Sequence, residues 1–124
     1  MDRGDLDDAI STLRRSAALG PSHLESHFNL GLAYERKGRL RDARFEIARA
    51  IALDPQPDAL NELALIDLQL GDLQQALNIL KNLFRDEPQY EPARKNLLTL
   101  KSKLRADRET ERGQRRDSMV AISR

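Results

Sequence analysis

Residues 27–55 read HFNLGLAYERKGRLRDARFEIARAIALDP, and small and large apolar side chains alternate there at the spacing of two antiparallel helices joined by a short turn. Helix axes approach to about 8–10 Å only over small side chains, which places Gly31 opposite Ala43 at the crossing. Tyr34, Leu40 and Ile47 fill the space around it. Gly38 falls between the two helices, where a residue free to adopt positive φ ends the first one. Pro55 stops the second.

The pattern recurs. Thirty-four residues toward the start, Gly4, Leu6, Ala9, Leu13 and Pro21 fall under Gly38, Leu40, Ala43, Ile47 and Pro55. Thirty-three residues toward the end, Leu63, Ala64, Gly71, Leu73, Ala76, Leu80, Leu83 and Pro88 fall under Leu30, Gly31, Gly38, Leu40, Ala43, Ile47, Ala50 and Pro55. The order His27-x2-Leu30-Gly31-x2-Tyr34, then Gly38, Leu40, Ala43-x3-Ile47, Ala50 and Pro55, resembles the tetratricopeptide repeat pattern W-x2-L-G-x2-Y…A-x3-F…P. The resemblance implies an all-α fold, a right-handed α-α superhelix of antiparallel helix pairs. On that register residues 1–20 are a half repeat holding the second helix alone, 22–55 a complete repeat and 56–89 another. Residues 90–106 are a capping helix, and 107–124 a basic tail expected to fray or be disordered. Asp67 departs from the family pattern, since it stands where Tyr34 stood.

Length and composition agree with this reading. A chain of 124 residues is about one domain long and buries roughly two-thirds of its unfolded surface. Forty per cent apolar and 33% charged residues with five aromatics suit a helical protein better than a disordered or membrane one. No apolar run approaches the roughly 20 residues of a membrane span, and the start does not resemble a signal peptide, so the expected location is cytoplasmic. With no cysteine, neither a disulfide framework nor a thiolate metal site exists. The net charge of +1 is unevenly spread: residues 1–23 carry −1, 24–56 carry +1, 57–90 carry −4 and 91–124 carry +5.

Local signals set the helix ends. Asp5 is a cap for a helix over Leu6–Leu19. Ser22-x-x-Glu25 reads as a capping box for the helix running to Lys37. Pro57 suits a first helical turn, where its missing donor would be unpaired anyway. The first helix of the opening repeat is absent, so either the chain is cut from a longer solenoid or another chain or the tail covers Leu6–Leu19.

In a stack of such pairs the first helices line the concave face. The candidate partner-binding residues are therefore Phe28, Leu32 and Arg36, then Asn61, Leu65 and Leu68, then Lys95, Thr99 and Lys103. They form a groove with an apolar floor and a partly basic margin, suited to an extended or helical peptide. Some relatives clamp a terminal carboxylate with lysines and asparagines. Here Phe28 and Leu32 take two of those places and Glu62 a third, leaving only Lys95 and Asn96 of matching type.

No glycine-rich phosphate loop, nucleophile–base arrangement or complete metal-ligand set is suggested, so no catalytic residue, cofactor or metal is expected. His23 and His27 share a metal-compatible spacing, but nothing completes the set and His27 reads as core. The basic tail carries few aromatics and interspersed acids, and no nucleic-acid partner is expected. The sequence thus points to a protein-interaction scaffold, with no enzymatic role. The alternatives are a module that self-assembles into a homo-oligomer through the exposed half repeat, or a regulatory fragment of a larger multidomain protein.

Overall fold

The small residues of the repeat are buried at a helix crossing. In the computed structural model of the protein, which describes residues 3–19 and 24–123, Gly31 on α2 (Leu24–Lys37) meets α3 (Leu40–Leu53). A Cβ at Gly31 would stand 2.6 Å from Ile47 Cδ1 and 3.3 Å from the Ala43 carbonyl oxygen. Ala43 and Ile47 are fully buried, so neither has room to retreat. The arrangement repeats between α4 (Pro57–Leu70) and α5 (Leu73–Asp86), where Ala64, Ala76 and Leu80 are equally buried. α1 (Arg3–Leu19) precedes these pairs and α6 (Glu91–Ser123) follows them. Each helix packs chiefly on its neighbours in the chain, and the described residues contain no strand: this is an α-α solenoid.

The turns explain the order. Gly38 and Gly71 have φ of 84° and 86°. The next residue then bonds back over the helix end, Arg39 N–H to the Tyr34 carbonyl at 2.9 Å and Asp72 N–H to the Asp67 carbonyl at 2.8 Å. Pro57 opens α4, and the Asp72 carboxylate caps α5 by accepting from Gln75 N–H. Ser22 of the expected capping box and the Gly20–Pro21 linker lie outside the described residues.

The core is continuous but forms in two parts. Ile10, Leu30, Tyr34, Ala43, Ile47 and Ile66 make one cluster; Ala64, Ala76, Leu80, Leu83, Leu97 and Leu100 belong to the other. α4 contributes to both, with Ile66 in the first and Ala64 in the second.

Three expectations change. α1 begins at Arg3, so Gly4 and Asp5 lie in its first turn rather than ahead of it. Its apolar residues are not bare either: Leu6, Ile10 and Ala17 are buried, which removes the exposed Leu and Ile on which self-assembly through the half repeat relied. Most of all, α6 does not end at residue 106; it runs as one helix to Ser123, through the segment expected to fray or be disordered. Loss of apolar periodicity there reflects loss of a packing partner. Arg, Glu, Gln, Met and Ala are strong helix formers regardless, and Glu111 and Arg115 stand at a supporting i, i+4 spacing.

Asp67, the departure from the repeat pattern, is fully buried. Arg44 of α3 lies across it, with Nε 3.0 Å from Oδ1, and also approaches Asp72 at 3.6 Å. Neither Asp67 oxygen accepts a well-directed hydrogen bond, so the attraction to Arg44 is mainly coulombic. Burial, outweighing the Arg44 charge, pushes the Asp67 carboxyl above the usual range.

Two stability outcomes follow from this packing. Ala43→Leu overfills the crossing and lowers stability by about 1–3 kcal/mol, and Gly31→Ala also lowers it although alanine is the better helix former. An unchanged thermal midpoint for Ala43→Leu would show that the register is wrong. Arg44→Ala strands a buried carboxylate and costs about 2 kcal/mol, whereas Asp67→Asn costs less because the amide carries no charge to compensate. Chemical denaturation of the two variants gives the order directly.

Candidate partner-binding groove

The first helices of successive pairs, α2, α4 and α6, are tied to one another by side-chain hydrogen bonds. Gln69 Nε2 on α4 donates to Glu35 Oε1 on α2 at 3.0 Å. Asn96 Nδ2 on α6 donates to Asn61 Oδ1 on α4 at 2.9 Å. Just ahead of α6, the Tyr90 hydroxyl donates to Asp58 at the start of α4. These bonds fix the spacing of the three helices whose side chains the sequence assigns to the groove.

The nine candidate residues fall into two groups. Phe28, Leu32, Leu65 and Leu68 are half-buried. Phe28 rests on the first core cluster and Leu68 on the second, so part of each side chain is structural. Asn61 is buried and held by Asn96. Arg36, Lys95, Thr99 and Lys103 are exposed, with the Thr99 hydroxyl donating to the Lys95 carbonyl of its own helix. Asn61, Asn96 and Thr99 thus already have hydrogen-bond partners, while the leucines and the cations have surface to offer.

A feature missed in the sequence lies between the first two of these helices. Glu62 of α4 meets Glu35 of α2; burial, then a hydrogen bond to Glu35 and its charge, push the Glu62 carboxyl up to about 8. A carboxyl raised that far keeps its proton at neutral pH. The repeat register held the signal, because Glu35 ends one first helix while Glu62 stands near the start of the next. Negative charge here opposes a terminal carboxylate, in line with the mismatch to carboxylate-clamping relatives.

Of the two histidines with metal-compatible spacing, His23 lies outside the described residues. His27 is buried with Nδ1 2.7 Å from Glu46 Oε2 on α3, a structural tie within the pair. Among the described residues no group of three or more histidine, cysteine or acidic side chains could hold a metal ion.

Stacked antiparallel helix pairs with an aligned row of first helices define the class of helical-repeat scaffolds. A family model for the tetratricopeptide repeat matches residues 1–59. Over residues 1–59 the chain thus matches the tetratricopeptide repeat family, and as a whole it shares the fold of tetratricopeptide repeat proteins. It is similar to TTC0263, a thermophilic tetratricopeptide repeat protein of Thermus thermophilus, at 26% identity and a TM-score of 0.72. That match covers 80% of this chain but only 53% of the Thermus chain, so the sequence spans about half its length. The second such domain of human RPAP3, solved with the HSP70 peptide SGPTIEEVD, matches at 23% identity and a TM-score of 0.72, covering 79% of this chain and 82% of that one. The Yersinia enterocolitica type III secretion chaperone SycD, solved with a peptide of the translocator YopD, matches at 17% identity and 0.71, covering 85% and 83%. At these identities the last two establish likeness of fold. No curated protein matches the sequence.

The raised Glu62 carboxyl has a signed consequence. The folded chain holds a proton that the unfolded chain releases above its ordinary value of 4.5, so this contribution to stability is present at low pH and lost as pH rises through about 8. Glu62→Gln removes that loss: the substitution raises the thermal midpoint most above about pH 8 and little near pH 4. A thermal series across pH with both proteins measures it, and equal slopes would dissolve the pair.

Proposed function

We propose that this protein is an interaction scaffold that holds a segment of a partner protein against the row of first helices α2, α4 and α6. The observation that carries the reading is the combination on that row of half-buried Leu32 and Leu65 with exposed Arg36, Lys95 and Lys103. Apolar side chains partly covered by their own helices offer contact area at little cost in side-chain ordering, and the flanking cations set orientation. Peptide complexes of RPAP3 and SycD support the reading by likeness of fold. The partner is a protein or peptide, and the residues of the row bind and orient it without chemistry of their own.

The carboxylate pair Glu35–Glu62 refines the partner's chemistry. It disfavours a terminal carboxylate at the centre of the row, and a neutral or cationic side chain suits that position.

Affinity capture with the intact protein, identification of the retained partner, and titration of the purified pair test this. Leu65→Glu and Arg36→Glu each weaken the titration about tenfold or more while helicity stays unchanged. Arg36 is exposed, so its substitution reads binding without a folding defect. Unaltered affinity in both variants removes the partner from this row.

A further inference from the structure

We propose a second docking site in the cleft between α5 and the middle of α6, occupied by an acidic segment of a partner protein that carries leucine-like side chains. The cleft has a volume of about 360 Å³, with Leu77 of α5 and Leu104 of α6 in its walls. Lys81 of α5 faces it from one side; Lys101, Arg105, Arg108 and Arg112 face it from α6. These four stand at i, i+4, i+7 and i+11, so they form one stripe, and the stripe spans roughly 16 Å of helix.

This stripe is on the other side of α6 from the groove. Successive residues turn about 100° around a helix, so Lys101 points about 200° away from both Thr99 and Lys103. The continuation of α6 beyond residue 106 is what creates the site, because Arg108 and Arg112 belong to that continuation.

Charge decides the occupant. Several cations elsewhere are compensated, Lys37 by Asp7, Arg39 by Asp42 and Arg44 by Asp67 and Asp72, so what marks this cleft is the convergence of five uncompensated ones. Among the described residues, none of the five cations lining this cleft has a carboxylate within 4.0 Å, and Glu109 is the one acidic residue in the lining. Uncompensated cations converging on one cleft favour a ligand of opposite sign, and arginines in a row match carboxylates by paired hydrogen bonds. The apolar walls select for a ligand with hydrocarbon to bury. No aromatic side chain lines the cleft to stack a base, whereas Leu77 and Leu104 offer contact to hydrocarbon side chains, so an acidic peptide fits better than a nucleic acid.

The test is an anisotropy titration of the full chain against a short fluorescein-labelled peptide in which single leucines alternate with pairs of glutamates. Binding is expected that weakens with added salt and falls about tenfold or more in the double variant Arg105→Glu with Arg108→Glu. Lys81→Glu, on the packed helix α5, gives the same direction of change and guards against a defect confined to the α6 continuation. Leu65→Glu on the opposite row leaves this binding unchanged, which separates it from the groove. No binding, equal affinity for the glutamine counterpart of the peptide, indifference to the charge reversals, or tighter binding of a single-stranded oligonucleotide would each overturn the proposal.

Discussion

The close contact of Gly31 with Ile47 and the Ala43 carbonyl is the constraint from which the rest of the structure follows. It brings α2 and α3 together at a distance no larger residue permits, and that distance sets how the pair presents its flanks to α1 and α4. The second pair achieves the same with Ala64 over Ala76 and Leu80. At the corresponding place on α6 stands Leu98, which is 57% exposed, with none of the described helices across it. At this one repeat position a small residue is present where a partner helix packs closely, and leucine stands where the side chain is exposed. The requirement is therefore local to each crossing, while its result, the alignment of the first helices, is collective.

What the sequence disclosed and what it hid divide along a physical line. Crossing residues, turn glycines and caps act on neighbours within a few turns of chain, and their spacing carried the repeat register, the helix pairs and the buried His27. Interactions between repeats are different. Arg44 and Asp67 lie on separate helices of successive pairs, and nothing in the spacing says that a carboxylate in a tyrosine's place has found a guanidinium. The same holds for Glu35 and Glu62. Of the groove residues, the sequence placed the leucines and cations on the row, but could not show that Asn61 is already engaged by Asn96. The length of α6 was misread for another reason: periodicity measures burial and propensity measures helicity, and beyond Leu104 the two part company.

Charge is distributed along the stack with a polarity that the composition only hints at. The first two first-helices meet where the Glu62 carboxyl is pushed up to about 8, so the centre of the row is less negative than its residue count suggests. Four of the ten cations of residues 91–124, Lys101, Arg105, Arg108 and Arg112, form one stripe of α6 that faces away from that row. One helix thereby offers two electrostatically different sides, and ligands approaching from opposite directions meet different chemistry.

α4 divides its side chains between the two core clusters, with Ile66 facing back and Ala64 facing forward. In a solenoid whose units touch only their neighbours, stability is a sum of local terms joined by interface terms, and cooperativity lasts only as long as the interfaces hold. This single helix carries the joint. While it is in place, unfolding of either cluster uncovers apolar surface of the other, and the stack melts as one body. If its faces were weakened, the same stack would come apart as two short units, each below the size at which a helix pair is stable alone.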